Sequence, residues 1–284
     1  MHDKYPHLFS PIRIGGLVIK NRIEASPIAI PNDSPEFASM ENMVSYELRA
    51  RSGAGLVVHE EMAVSKLADN GSGPTFADTA LALQDIMKES EAVHRYGAIS
   101  SVSLTHHGGW NTLSVAPDGK LYAPSAFKNP YGIMTTEMTE DIMFELIEAY
   151  ARAAEMAQYG GHDMVQIHGA HGWLLSQFMS PLYNHRTDKY GGSLENRARF
   201  PLMIVDAIRK RCPKLPIEYR FSANDFMEGG FGPEEGIEFA KMLDGKVDLI
   251  HITSSSFFDP SCGKLFPSMF TERGVNIPLA ASIK

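Results

Sequence analysis

Short runs of β-branched and apolar residues alternate with longer helix-periodic segments along nearly the whole chain, and few folds accommodate that alternation. The runs fall at residues 23–29, 55–60, 99–105, 163–168, 217–221, 247–253 and 277–281, and helical patterns occupy 43–52, 80–96, 139–159, 194–211 and 233–243. A strand, a helix and a second strand in succession make a βαβ unit with a parallel sheet. Such units wind right-handed, and a series of them closes as an eight-stranded (β/α) barrel of about 250 residues. Here 284 residues are spent before an eighth strand, because long loops follow the third and fourth runs. The expectation is an α/β TIM barrel lacking strand eight, one domain over 1–284 that is truncated at its C-terminal side, with no second domain. An open doubly wound sheet is the competitor, but no G-x-G-x-x-G turn follows the first strand.

At the start, Ile12-Arg13-Ile14-Gly15-Gly16-Leu17-Val18-Ile19 reads as two alternating runs around a glycine turn, a β-hairpin able to cap the barrel bottom. Thr139, followed by Glu140 and Asp141, marks a helix N-terminus. Cys212 and Cys262 lie far apart without C-x-x-C partners, so neither a disulfide framework nor a cysteine-held cluster is encoded. A formal charge of −8 supplies no basic field for a phosphate backbone, which argues against nucleic acid as a partner. No apolar run is long enough to span a bilayer, and no leader pattern opens the sequence, so a cytoplasmic protein without a membrane partner is expected.

Reacting groups in such barrels sit at the C-terminal ends of strands. The fourth run ends at His168 and His171, with Gly169 and Gly172 freeing the backbone to turn. Two neutral imidazoles can each donate one hydrogen bond to a carbonyl oxygen and polarise its conjugated double bond. They could equally bind a divalent metal, together with His106 and His107, although no carboxylate ligand stands beside them in the sequence. One of them could simply satisfy loop backbone. Residue chemistry leaves these three readings open.

From Gln166 to Arg197 the sequence resembles the signature of the old yellow enzyme family of NADH:flavin oxidoreductases, in which H-x-x-H or H-x-x-N precedes Y-G-G-S-L-E-N-R. The resemblance extends along the chain: Leu8 to Ile23 is similar to the family's opening, Ser103 to Gly109 to Q-L-x-H-x-G-R, and Tyr219 to Ser222 to its fifth strand. The long loops are closest to the large members such as 2,4-dienoyl-CoA reductase and trimethylamine dehydrogenase. The resemblance implies FMN as cofactor, NADH or NADPH as reductant, and a small-molecule substrate whose double bond carries an electron-withdrawing group. An iron–sulfur cluster is implied only if the native chain is longer, and the site residues include no metal ligand.

By the same resemblance, His168 and His171 are the catalytic pair that holds the substrate oxygen, and Ser26, Pro27, Ile28, Glu61, Ser103 and Arg220 are cofactor-binding. Arg220 would set a fixed positive charge against the flavin pyrimidine; an ion pair with Asp225 or Glu228 is its structural alternative. Tyr190 to Arg197 would fold the loop and start the next helix, with Ser193 as its cap.

Four departures stand out. Trp173 replaces the tyrosine that supplies a proton, and an indole N–H is not a usable acid near neutral pH. His106 and Tyr183 are the substitutes on offer, and all three are expected to line the substrate pocket. Ser103 replaces a glutamine. Glu61 stands where a small residue is usual, and there a buried carboxylate is costly unless paired or protonated. The phosphate-binding Gly-Arg turn is not among these residues, so a barrel that binds flavin weakly or not at all, without turnover, is the alternative function. Open edges on the first and last strands make a homo-oligomer conceivable.

Overall fold

The computed structural model describes residues 4–28, 40–65, 80–111, 118–257, 262–265, 267–270 and 272–284. An antiparallel hairpin opens the chain, β1 (Ile12–Ile14) and β2 (Leu17–Ile19), with Gly15 at φ 54° in the turn. Then follow β3 (Glu24–Ala25), α1 (Met40–Arg51), β4 (Leu56–Ala63), α2 (Ala80–His94) and β5 (Ile99–Thr105). A short parallel pair, β6 (Tyr122–Ala123) and β7 (Thr136–Glu137), lies in the loop before α3 (Glu140–Tyr159). The remainder is β8 (Met164–Gly169), α4 (Leu174–Met179), α5 (Leu194–Arg211), β9 (Ile217–Ser222), α6 (Pro233–Leu243), β10 (Leu249–Thr253), α7 (Cys262–Leu265) and α8 (Ile277–Ile283).

Among the described residues six strands form one parallel sheet in the order β10-β9-β8-β5-β4-β3, so each βαβ unit adds its strand beside the last. The sheet is an incomplete barrel: β3 and β10 are its edges, yet it curls far enough for His251 on β10 to touch Glu24 on β3 at 3.0 Å. The hairpin packs Ile14 and Ile19 against Leu56, Val58 and Met164 at the bottom. Outside, α3 and α5 cover β8 and β9 through Tyr150, Ala153, Phe200 and Ile204. Thr139 and Ser193 cap their helices as their sequence positions suggest, each accepting a hydrogen bond from a backbone N–H three residues on.

Two expectations are corrected. Residues 277–281 form part of helix α8 rather than a seventh strand. Pro278 cannot donate to a strand ladder but suits the first turn of a helix, Leu279 and the two alanines favour helix, and Leu279 and Ile283, one turn apart, rest on the core. The first strand is only two residues long, because Pro27 removes the next donor facing β4. Cys212 is a buried free thiol.

Candidate functional site

The strand register decides which side chains share the sheet's concave face. Glu61, Ser103, Gln166 and Glu218 stand side by side on β4, β5, β8 and β9; one layer closer to the strand ends, His168, Arg220 and His251 do the same on β8, β9 and β10. A register shift between His59 and Glu61 turns Glu61 inward. Glu60 accepts from Asn42 Nδ2 on α1 instead, and its backbone N–H donates to the Tyr46 hydroxyl at 3.1 Å.

The lower layer is one hydrogen-bonded ribbon. Ser103 Oγ donates to Gln166 Oε1 at 3.1 Å, and Gln166 Nε2 donates to Glu218 Oε1 at 2.9 Å. His251 Nδ1 meets Glu218 Oε1 at 2.9 Å and Glu24 Oε1 at 3.0 Å, and Ser26 Oγ donates to Glu24 at 3.3 Å. Burial opposes charge on His251, but the hydrogen bonds it donates to Glu218 and Glu24 outweigh burial and push the imidazole up to about 9. The ring is therefore a cation beside the Glu24 carboxylate, while burial and the Glu24 charge push the neighbouring Glu218 carboxyl up.

The sign of the linkage follows. A histidine raised above its unfolded value stabilises fully below about pH 6.5 and loses that contribution as pH rises through 9. Stability against urea is expected to fall between those limits by on the order of 3 kcal/mol. In His251→Gln that slope should vanish; a variant with the same slope would show that the cation lies elsewhere.

Closer to the mouth, Glu61 accepts from His107 Nε2 at 2.7 Å and from His168 Nε2 at 3.3 Å. Burial alone would raise the Glu61 carboxyl; the His107 charge and the hydrogen bonds of both rings hold it well below the usual carboxylate range. His168 and His171 are both depressed, first by burial, with His168 partly restored by Glu61 and His171 depressed further by His168 and Arg220. Both rings are accordingly neutral. The Ala170 N–H donates to His168 Nδ1 at 3.4 Å, which puts the His168 ring proton on Nε2, toward Glu61.

His171 stands beside it, ring centroids 4.9 Å apart and nearly perpendicular. Its backbone has φ 62°, a left-handed conformation a side chain rarely adopts. That strain is held in place: the His171 N–H donates to Ser222 Oγ at 3.0 Å, the His171 carbonyl accepts from Phe257 N–H at 3.0 Å, and Nε2 meets Thr253 Oγ1 at 3.1 Å.

Arg220 shares the register line with His168 and His251. Its Nε is buried without a hydrogen-bond partner. Among the described residues Arg220 forms no ion pair with Asp225 or Glu228, and Asp225 accepts from Ser180 Oγ at 2.6 Å and from Phe231 N–H at 2.8 Å. Burial depresses Arg220, while Glu24, Glu218 and Glu61 counter with negative charge.

His168, His171, Glu61 and Arg220 thus come together, whereas other expected residues lie apart. Ser103 is fully buried in the ribbon beneath. Ser26 and Pro27 follow β3 half-buried, and Ile28 is exposed. Trp173 lies edge to face with His107, centroids 4.3 Å apart, and nearly parallel to Phe257. Tyr183 belongs to a separate aromatic group with Trp110 and Phe127. Buried His106 accepts from the Gly108 N–H at 2.9 Å, and burial pushes its ring down to about 3.

Sequence reading missed Gln166, Glu218 and the pairing of His251. A signal existed: Gln166 with His168, Glu218 with Arg220, and His251 with Thr253 put polar groups at alternate positions of strands covered on both faces, where continuous apolar runs are usual.

Comparison with known proteins agrees with this geometry. The chain is 37% identical to an NADH oxidase from Thermoanaerobacter brockii over 289 residues, which is 99% of this chain and 44% of that one. It is 34% identical to an NADPH dehydrogenase from Geobacillus sp. (strain WCH70), covering 98% of this chain and 79% of that one. A cinnamate reductase from Clostridium sporogenes is 31% identical, covering 100% and 46%. Among solved structures, a 2-naphthoyl-CoA reductase complex superposes with a TM-score of 0.83 at 30% identity over 89% of this chain and 41% of that one. An old yellow enzyme homologue from Zymomonas mobilis superposes with a TM-score of 0.83 at 27% identity, covering 98% and 80%. The chain therefore spans less than half the length of some relatives and about four fifths of others. Among the described residues no helix is long and apolar enough to cross a membrane. A family model matches residues 7–260, and with it the incomplete parallel barrel and the histidine pair at its mouth fall into place: the chain belongs to the NADH:flavin oxidoreductase / NADH oxidase family.

Proposed function

We propose that this chain is the FMN-binding barrel of an NAD(P)H-dependent oxidoreductase that reduces a carbon–carbon double bond conjugated to an electron-withdrawing group. The observation that carries this reading is the Arg220 guanidinium, whose Nε has no hydrogen-bond partner although it is buried, beside neutral His168 on the adjacent strand and neutral His171 just past that strand's end. A buried donor left without a partner costs about 1–3 kcal/mol, which a ligand acceptor would recover. The residues fit the pyrimidine edge of a flavin in this respect, and half-buried Ser26 and Pro27 would offer backbone to the ring. When bound, the flavin supplies hydride transfer.

The chain's own part is to bind and orient. Neutral His168 and His171 would donate to a substrate oxygen and stabilise the negative charge that develops there. The His168–Glu61 contact of 3.3 Å is at the long edge for an N–H···O bond, so a substrate oxygen can compete for that donor. Trp173 offers a flat apolar wall. The names of relatives that act on cinnamate and on 2-naphthoyl-CoA support a conjugated acid or thioester as the substrate class.

A barrel that binds flavin without turnover is the second reading, favoured by Glu61, which occupies the His168 donor. Anaerobic addition of NADH or NADPH to the purified protein should bleach a stoichiometric flavin spectrum under the first reading, and no bleaching would leave the second. Replacing His168 and His171 by alanine together should abolish phenol charge-transfer absorbance and lower turnover by about a hundredfold or more. Phenol absorbance unchanged in that variant would remove both rings from the pocket.

A further inference from the structure

Behind Glu61, on the convex side of the sheet, lies a second set of titratable groups that the function proposed above does not use. His59 on β4, Glu89 on α2, Ser100 on β5 and His162 before β8 are all buried. They are joined in series. His162 Nδ1 meets Ser100 Oγ at 2.9 Å, Ser100 Oγ meets His59 Nε2 at 3.0 Å, and His59 Nδ1 meets Glu89 Oε2 at 3.4 Å. Tyr46 stacks on the His59 ring, centroids 4.0 Å apart, and fixes its plane.

Beside this series, Asp163 accepts from the Ser100 N–H and pairs with His94, both side chains of that pair partly exposed, while His162 Nε2 at the outer end is buried without a hydrogen-bond partner. At the inner end, Glu89, Glu60, Glu61, Tyr46 and Asn42 line a cavity of about 20 Å³, which has room for one water. Glu61 thus faces two ways, toward this cavity and toward His107 and His168 at the mouth.

Charge states store a proton at Glu89 and keep Glu61 an unprotonated acceptor. Burial, helped by the nearby Asp85 carboxylate, pushes Glu89 up to about 8, so it holds a proton at neutral pH. Burial keeps His59 down at about 3 and His162 well below its ordinary value, so both are neutral. A neutral imidazole takes a proton on one nitrogen and releases one from the other, and a serine hydroxyl between two such rings passes it along.

We propose that Glu89 delivers, through this cavity to Glu61, the proton that accompanies hydride transfer to the substrate. The inference rests on the oxidoreductase reading above. Reduction of one double bond adds a hydride from the nicotinamide at one carbon and a proton at the other. The proton leaves the Glu89 carboxyl; water in the cavity takes it and releases its own to Glu61, and Glu61 passes it to the substrate carbon. Glu89 regains a proton through His59, Ser100 and His162, with water that reaches the buried His162 Nε2 as its source. The path supplies the acid that Trp173 cannot.

The test compares the full chain with Glu89→Gln, Glu89→Asp and Glu61→Gln, the glutamines preserving volume. The charged and titratable groups facing Glu89 are His59, Glu60 and Glu61 from β4, Tyr46 from α1, and Asp85 with its partner Lys88 from α2. Infrared difference spectra need no turnover: a protonated-carboxyl band should disappear as pH passes about 8, be absent in Glu89→Gln, and shift in frequency in Glu61→Gln. In Glu89→Gln, bleaching by NADH should keep its rate, while product formation slows at least tenfold with a larger solvent deuterium effect, and Glu89→Asp should restore part of it.

A wild-type protein without that band overturns the relay even if every variant fails to fold. Bleaching together with an unchanged product rate and solvent isotope effect in Glu89→Gln overturns the relay while leaving the oxidoreductase reading intact. A flavin that no nicotinamide bleaches overturns that reading, and the delivery role with it.

Discussion

Arg186→Met is expected to destabilise the protein by about 3–5 kcal/mol, the range for breaking a buried, hydrogen-bonded charge. The guanidinium, 8% exposed, donates from Nη1 to the carbonyls of Pro124 and Met138 at 3.0 and 2.8 Å, and grips Asp188 through Nε and Nη2. Those two carbonyls belong to the loop carrying β6 and β7, so one side chain fastens that loop to the segment between α4 and α5. Asp188 is half exposed and can return to water at little cost. Most of the loss therefore comes from the two carbonyls, each about 1–3 kcal/mol when left without a donor. Urea denaturation should show a lower midpoint at unchanged slope. A shift below 1 kcal/mol would mean that the loop is held by other contacts.

Gly191→Ala should cost about 3 kcal/mol or more, and its neighbour Gly192→Ala much less. A Cβ on Gly191 would lie 2.1 Å from the Arg186 carbonyl oxygen and 2.6 Å from its carbon, which are backbone atoms of the same fastened segment and cannot move aside. A Cβ on Gly192 meets nothing within 4 Å; its φ of 79° imposes only the left-handed penalty of about 1–2 kcal/mol. Equal losses at the two positions would show that conformational strain, not the close approach, governs this turn.

Both predictions concern the segment whose residue pattern was the most legible part of the sequence. Tyr190 to Arg197 were expected to fold a loop and start a helix, and they do: Ser193 caps α5, Asn196 Nδ2 donates to the Gly191 carbonyl, and Arg197 donates to the Gly192 and Met179 carbonyls. The hairpin, the middle strands and helices α1, α2, α3, α5 and α6 were equally readable, since each rests on contacts within a few residues or on a simple apolar period; the short α4 and α7 were not read. Residues 277–281 misled because a short apolar run satisfies strand and helix alike; Pro278 was the local clue.

Side-chain periodicity and a local signature, read from the amino-acid order alone, determined a parallel α/β barrel with two imidazoles at a strand end and an arginine on the strand beside them. Only the tertiary structure decided what those groups touch. The register shift in β4 aims Glu61 at His107 and His168 and leaves Glu60 to α1. Curling of the sheet brings an oxygen of Glu24 and an oxygen of Glu218 each within 3.0 Å of His251 Nδ1, although 227 positions separate Glu24 from His251. The physical reason is that a side chain's ionisation and hydrogen bonding depend on burial and on neighbours from other strands, which no window of adjacent residues contains.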